Sequence, residues 1–300
     1  MLDRREINAK IFEDTERMYK SHKVLKEAVA KSIREQKLIC GYVTVEVEPV
    51  WKMIVTEEEY AECKKKNNTA EETDDVKIIV SGKRTLEAAE PYVKQGKKVC
   101  VLNFASATNP GGGVRNGSSA QEEAICRCST LYPCLNTKEM WEGFYSPHRN
   151  AHNPLYNDDC IYTPDVKVFK SDIDFPEVLP ENEWWDVNVI TCAAPNLRAI
   201  PSNKMNPHAG DSKADISLDE VKELLRRRIE RIFQVALAND TEVLVLGAFG
   251  CGAFRNPPKV VAEVFKEYTE KYGKYFEVIE YAVFHTEREI GNYEAFREVM

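Results

Sequence analysis

Apolar residues recur among charges at helical spacing from the start of the chain. Ile7, Ile11, Met18, Leu25, Val29 and Ile33 stand four or seven residues apart, which predicts a helix or helical pair over 4–36. GYVTVEVEPVW (41–51) alternates with period two, as a strand does, and meets a proline near its end. The polar stretch 59–75 reads as a solvated helix end and loop. From residue 76 short apolar runs alternate with amphipathic ones. VKIIV (76–80) is a buried strand, TLEAAEPYVKQG (85–96) a helix ending at Gly96, and KVCVLNFA (98–105) a second strand. A glycine-rich loop and a helix over 119–130 follow. Residues 131–185 show no clear period, are rich in Pro, Asn, Tyr and His, and read as irregular. DVNVITCAAP (186–195) is a strand leading into a long polar loop, 196–216.

Ser217 and Glu220 have the spacing of a capping box, and the helix they open carries Val221, Leu224, Leu225, Ile229, Ile232 and Phe233 on one face. EVLVLGAFGCGAFRNPP (242–258) reads as strand, glycine loop and helix start. FEVIEYAVF (276–284) is a strand, and a last helix closes the chain. Strands alternating with helices imply a mainly parallel sheet covered on both faces, a three-layer α/β/α arrangement. Ligands of such sheets sit at the carboxyl ends of strands. Both glycine loops follow strands directly, so both are expected on that edge.

Composition narrows the function more than the fold. With 43% hydrophobic and 30% charged residues, the 300-residue chain can bury a substantial core. Its formal net charge of −8 offers no global attraction to nucleic acid or anionic membranes. No direct sequence-specific nucleic-acid binding and no membrane association are expected, and an anionic ligand would have to be held by local geometry. No run approaches the roughly 20 apolar residues of a membrane span, and the charged N-terminus has no apolar signal segment, which points to the cytoplasm. Nine scattered cysteines then read as reduced thiols. Cys126, Cys128 and Cys134 lack the paired spacing of a zinc site. His148 and His152 lie four apart, but Pro147 and the Asn-rich surroundings suggest a loop, and no third ligand is evident. No metal and no cofactor are expected. Trp184 and Trp185 read as packing anchors.

Two constellations could carry chemistry. In VLNFASATNPGGGVRNGSSAQEE (101–123), Gly111, Gly112 and Gly113 remove three successive Cβ atoms, so backbone can approach a ligand closely. Seven residues on come Gln121, Glu122 and Glu123, at the expected start of a helix. Glutamates favour such positions for the macrodipole alone. The second constellation is GAFGCGAF (247–254), entered by a buried strand and left by a helix. Backbone N–H groups there could hold a diphosphate without a lysine.

The first constellation resembles the signature of the poly(ADP-ribose) glycohydrolases, three glycines followed after six to eight residues by Gln-Glu-Glu. VLNFASATNPGGG, GAFGCGAFRNPP and IYTPDVKVFKSD make the bacterial branch the closer likeness, and the similarity runs from about residue 5 to 298. The resemblance implies a macrodomain-like catalytic domain over 76–300, with residues 1–75 as an N-terminal helical extension packed on it, in one continuous globular unit. It implies hydrolysis of ribose–ribose O-glycosidic bonds in poly(ADP-ribose), or action on ADP-ribosylated macromolecules, with ADP-ribose as product. Glu123 would be the catalytic acid, with Glu122 and Gln121 placing it and the substrate ribose. Gly250, Cys251, Gly252 and Ala253 would form the second diphosphate loop, and Phe254 would pack on the distal ribose. Asn103 and Asn109 are both candidates for the ribose diol. His285 and Asn292, near the adenosine end, are candidates for ligand contact, a cap or core packing.

The chemistry stands independently of the likeness. Breaking such a bond needs a carboxylic acid to protonate the leaving oxygen and then, as carboxylate, to activate water. Side chains adjacent on a helix point about 100° apart, so Glu122 and Glu123 should not face one another across the bond. One principal acid/base is expected. Three other readings remain: a mono-ADP-ribosyl hydrolase, a non-catalytic ADP-ribose-binding domain, and a Rossmann dehydrogenase, for which Gly250 and Gly252 alone are weak support.

Overall fold

The computed structural model describes residues 3–40, 76–204 and 206–300. The strand expected over 41–51 and the polar stretch 59–75 lie outside the described residues. The N-terminal segment is a helical pair, α1 (Arg4–Ser21) and α2 (Lys23–Glu35). Asp3 opens α1 with a capping box: its side chain accepts the Glu6 N–H while Glu6 reaches back to the Asp3 N–H. The short strand β1 (Lys37–Ile39) follows. Then come β2 (Lys77–Ser81), α3 (Thr85–Lys94), β3 (Val99–Phe104) and α4 (Gln121–Cys128). Next stand α5 (Leu131–Leu135), α6 (Lys138–Met140), a π-helical turn over 141–145, and α7 (Ser146–Ala151). The remainder is β4 (Cys160–Val168), β5 (Trp185–Cys192), α8 (Leu218–Ala238), β6 (Val243–Leu246), α9 (Pro258–Tyr272), β7 (Val278–Ala282) and α10 (Gly291–Val299).

Seven strands form one mixed sheet in the order β1-β4-β5-β3-β6-β7-β2. From β5 to β2 every pairing is parallel, while β4 runs antiparallel to both β5 and β1. Strand alternation splits the core into two layers. Val99 and Val101 of β3, with Val243 and Val245 of β6, face Phe12, Leu25, Leu86 and Ile125. Cys100, Leu102, Leu244 and Leu246 face the other way, onto Leu225, Ile229, Phe233, Val261 and Phe265. The three-layer α/β/α expectation holds, and the N-terminal helices share a core with the sheet. Phe12 is 1% exposed and meets the Tyr132 ring edge-on at 5.0 Å. Truncating such a residue to alanine costs on the order of 3–5 kcal/mol.

The expectation of irregular structure over 131–185 is overturned. That stretch holds three short helices, the π-helical turn and the nine-residue β4, buried along most of its length. Its sequence, CIYTPDVKV, disguises the strand because proline cannot donate to a ladder. A register shift between Thr163 and Val166 takes Pro164 and Asp165 out of the pairing, with Asp165 at φ 50°. Pro147 likewise does not make a loop, because it sits in the first turn of α7, where its missing N–H has no partner to lose.

Candidate active site

A cavity of about 1090 Å³ opens at the carboxyl ends of β3, β6, β7 and β2, where both glycine loops lie. Gly112, Gly113, Glu122 and Glu123 line one part of it, and Gly250, Gly252, Ala253 and Phe254 another. The cavity extends past Phe104 to Thr85, Val283, Phe284 and Asn292. The strand-end rule thus brings together the two loops that the sequence separates by more than a hundred residues.

Helix α4 is stapled to β3 by Gln121. The Gln121 amide oxygen accepts the Phe104 N–H at 2.8 Å, and its nitrogen donates to Leu102 O at 2.7 Å and Thr85 Oγ1 at 3.0 Å. The side chain is spent on the protein, so Gln121 places the helix start. Glu122 turns inward, where Oε2 accepts the Ser106 N–H at 2.7 Å and Oε1 a long contact of 3.4 Å from Asn103 Nδ2. Glu123 reaches the glycine loop, with Oε1 accepting the Gly113 N–H at 2.8 Å. Its other oxygen, Oε2, is buried without a partner.

Gly112 lies between the two carboxyl groups. At φ +58° it occupies a region unfavourable to side-chain-bearing residues, and a Cβ there would come within 2.6 Å of Glu123 Oε1 and 2.9 Å of Glu122 Oε2. Both carboxyls therefore close on the same stretch of backbone. They accept from different N–H groups and do not oppose one another across open space, in keeping with their helical spacing.

Burial governs their protonation. It pushes the Glu123 carboxyl above the usual carboxylate range, against the opposing pull of the Gly113 N–H. Glu122 stands well above that range, first through burial and then through the neighbouring Glu123 charge. Two carboxyls pressed together in a dry wall favour the acid form, and a buried carboxylic acid facing a cavity suits proton donation.

Several expected ligand contacts lie one layer back. Asn103 is fully buried and does not line the cavity; its amide nitrogen donates to Thr191 Oγ1 at 3.2 Å and toward Glu122. Asn109 lines the cavity, and its Oδ1 accepts from the Arg149 guanidinium. Gly111 sits behind the wall against the Tyr132 ring. Cys251 points into the core, where burial pushes its thiol up to about 12. Phe254 is half-buried on the cavity wall, its ring 5.9 Å from that of Tyr156. Asn292 lines the cavity; His285 instead packs on the Tyr293 ring at 4.5 Å. His148 uses both ring nitrogens, toward Phe144 O at 2.7 Å and Asn157 Oδ1 at 2.8 Å. No group of three or more metal-ligating side chains occurs among the described residues. Trp185 is buried in the core, and Trp184 packs against Phe169 and His22.

Other cavity residues carry no local signal in the sequence. Arg4, Arg5 and Asn8 come from α1, Lys83 and Arg84 from the β2–α3 turn, and Arg198 and Lys204 from the loop after β5. Asn8 Nδ2 donates to Gly117 O at 3.1 Å and Thr15 Oγ1 to Arg127 O at 2.6 Å, so α1 braces the loop and helix that carry Glu123. The cations give the cavity a positive wall that the net charge conceals. Asp172 faces them, half-buried, accepting the Leu86 N–H at 3.1 Å, with its carboxyl raised by desolvation.

Comparison with known proteins identifies the family. Residues 11–171 match the family described as microbial-type PARG, catalytic domain. The poly(ADP-ribose) glycohydrolase of Thermomonospora curvata superposes with a TM-score of 0.75 at 30% identity, covering 99% of each chain. The same enzyme bound to the inhibitor ADP-HPD gives a TM-score of 0.74 at 29% identity, covering 99% of this chain and 100% of that one. The Deinococcus radiodurans enzyme in complex with ADP-ribose gives 0.68 at 31% identity, over 90% of this chain and 96% of that one. No curated protein matches the chain in sequence. The fold, the extent of the likeness and the matched segment agree: the chain belongs to the microbial-type poly(ADP-ribose) glycohydrolases.

Proposed function

We propose that this protein hydrolyses the ribose–ribose O-glycosidic bond of poly(ADP-ribose) and releases ADP-ribose, with Glu123 as its general acid and base. The observation that carries the reading is the state of the Glu123 carboxyl. One oxygen is tied to the Gly113 N–H, and the other, Oε2, is buried and unpartnered in a side chain that lines the cavity. Burial raises the pKa of this acid and so favours its protonated form, with Oε2 as the oxygen not engaged by a backbone N–H.

The reaction then balances with one carboxyl group. Glu123 Oε2–H protonates the leaving ribose oxygen as its bond to the anomeric carbon of the distal ribose breaks, leaving oxocarbenium character on that sugar. The Glu123 carboxylate next takes a proton from a water molecule as the water oxygen bonds to the anomeric carbon, which restores the acid and completes the product. Glu122, fixed by the Ser106 N–H, supports the position of its neighbour. Gln121 and Asn103 act through these two as positioning residues.

Gly112 and Gly113 on one side and Gly250, Gly252 and Ala253 on the other supply close backbone approach for the diphosphate. Phe254 and Asn109 stand at the sugar end, and the arginine-rich wall neutralises phosphate charge. We read the architecture as macrodomain-like, with 1–75 and 76–300 forming one continuous unit. Support for unity comes from the shared core of Phe12, Leu25, Val101 and Ile125. We assign the protein to the cytoplasm on its cysteines, eight of which are free among the described residues, seven of them buried. Among those residues no helix is long and apolar enough to cross a membrane.

The deciding experiment incubates the purified protein with poly(ADP-ribose) and, separately, with a mono-ADP-ribosylated protein, and quantifies free ADP-ribose. Release from the polymer alone is the expected result. Release from the mono-modified protein alone would overturn the reading in favour of a mono-ADP-ribosyl hydrolase.

A further inference from the structure

Arg127 is a buried cation for which the reaction above has no use. It stands one turn after Glu123 on α4, at the spacing where a glutamate and an arginine share a helix face. Only 5% of it is exposed. Its Nη1 donates to Ser118 O, and its own carbonyl accepts from Thr15 Oγ1 of α1. Ser118 in turn sits against Gly113, where an added Cβ would come within 2.3 Å of Ser118 Oγ. Gly113 is the residue whose N–H holds Glu123 Oε1. Arg127 thus reaches the acid by two routes, along its own helix and through the loop that seats it.

Pinning a carbonyl does not need a charge. A glutamine could donate to Ser118 O at a far smaller desolvation cost, whereas a buried charge is tolerated where opposite charge offsets it. Burial draws the pKa of Arg127 down, yet a guanidinium stays ionised through the pH range of an enzyme. On α4 the titratable groups around it are Glu123, with Glu122 beside that, and Cys126 and Cys128, whose thiols burial pushes well above their usual range. After β4 come Lys170, paired with Asp14 of α1, and Asp172, which accepts the Leu86 N–H. Arg84 and Glu87, at the start of α3, act on Asp172, and Arg4 and Arg5 of α1 line the same cavity. Within this set Arg127 is the cation that acts on Glu123: burial raises that carboxyl, and the Gly113 N–H and the Arg127 charge pull it back.

The charge matters most after the proton has left. Glu123 begins as an acid and must next act as a carboxylate in the same dry wall, where burial opposes ionisation. We propose that Arg127 is a positioning residue that seats Glu123 through Ser118 and supplies the fixed positive charge that lets it ionise between the two halves of the reaction. The inference rests on the polymer-hydrolase reading and deepens it. No bond to Arg127 forms or breaks, and it keeps its protons. The proton passes from Glu123 to the leaving oxygen and is restored from water, and Arg127 sets how tightly Glu123 holds it.

The test follows kcat for ADP-ribose release from saturating poly(ADP-ribose) against pH, in the unaltered protein and in Arg127→Gln, Arg127→Lys and Asp172→Asn. Removing a neighbouring positive charge makes Glu123 a weaker acid, so the alkaline limb moves to higher pH. In Arg127→Gln, which can still donate to Ser118 O, the limb should rise by about one pH unit. Its plateau should fall severalfold, because a weaker acid donates more slowly. Arg127→Lys keeps the charge and should hold the limb near that of the unaltered protein. Asp172→Asn removes a negative charge that shares Arg127 and should move the limb down, a shift still readable if neither Arg127 variant folds. A purely structural Arg127 would lower the plateau and leave the limb in place. An unmoved limb in Arg127→Gln, or an equal rise in Arg127→Gln and Arg127→Lys, would overturn the proposal. Where neither Arg127 variant folds, an unmoved or raised limb in Asp172→Asn would do so. Failure of the hydrolase reading is a separate result, in which the unaltered protein itself releases no ADP-ribose, and it takes this proposal with it.

Discussion

The two glycine-rich loops share a composition and a place at a strand end, yet Gly112 and Gly252 meet opposite surroundings. At Gly112 an added Cβ would press on both catalytic-side carboxyls, and the backbone there already stands at φ +58°. At Gly252 a Cβ would meet nothing within 4 Å. The first loop closes around the acids at Gly112, where the absence of a side chain also serves the protein's own interior. The second is closed at Gly247 and Gly250, where a Cβ would meet Ala282 O at 2.6 Å and the Ala194 Cβ at 2.4 Å, and open at Gly252, where the missing side chain leaves space. Gly112 therefore shapes the seat of two buried carboxyls, while Gly252 leaves open space at the cavity.

Substitutions can break that contrast. The largest effect is expected from Gly112→Val, which forces a β-branched residue into left-handed backbone, a strain of about 1–3 kcal/mol, and displaces both carboxyls. It should lose measurable turnover and ADP-ribose binding together, with a lowered melting temperature; normal turnover would mean the loop does not close on the acids as described. Glu123→Gln comes next and should reduce kcat by about 10²–10⁴-fold while leaving ADP-ribose affinity near that of the parent in calorimetry. A variant that digests polymer at the parental rate would remove Glu123 from its role.

Gly252→Ala is the sharper counterpart of Gly112→Val. It should leave the melting temperature unchanged, because the space is empty, and weaken ADP-ribose binding by about tenfold, or roughly 1.4 kcal/mol. Unchanged affinity would show that the ligand does not approach that backbone.

The smallest effect separates pH from packing. Glu122 and Glu123 are raised in the folded protein, so their contribution to stability is fully present below the ordinary carboxylate range and is lost as pH rises through the raised values. Glu122→Gln, which removes the more strongly shifted of the two, should melt close to the parent at about pH 4 and progressively above it toward about pH 8. Parallel melting curves at every pH would contradict a buried, acid-form Glu122. By the same sign, kcat of the parent should fall on the alkaline side as Glu123 loses its proton, with the limb above the range of an ordinary glutamate.

How much of this was legible in the chain differs by element. The capping box of Ser217 and Glu220 is present as read, with the Ser217 side chain accepting the Glu220 N–H. Gly96 ends its helix in left-handed backbone, φ +79°. These are short-range arrangements, decided by neighbours within one turn. β4 was illegible because Pro164 and Asp165 look like a break, and only a partner strand on each side makes their bulge tolerable. In the site, the triple glycine and the acid pair were readable as a unit, since seven residues of chain leave them little freedom to part.

Which member of each candidate set meets the cavity was not readable. Asn103 and Asn109 have the same chemistry, and only the direction of β3 at its end places one beneath Glu122 and the other at the wall. Gln121 looked like a ligand contact until its amide was found fully occupied by Phe104, Leu102 and Thr85. The basic lining from Arg4, Arg84 and Arg198 comes from three distant segments, and no local pattern links them.

The amino-acid order by itself therefore determined the layer architecture, the ends of the capped helices and the segment that bears the acid pair, because periodicity, caps and closely spaced motifs act over a few residues. The folded arrangement alone decided which oxygen of Glu123 is left free, which asparagine faces the cavity, and how α1 closes over the loop after β3. Those outcomes depend on contacts between segments far apart in the chain, where burial and direction, not residue type, set what each side chain can do.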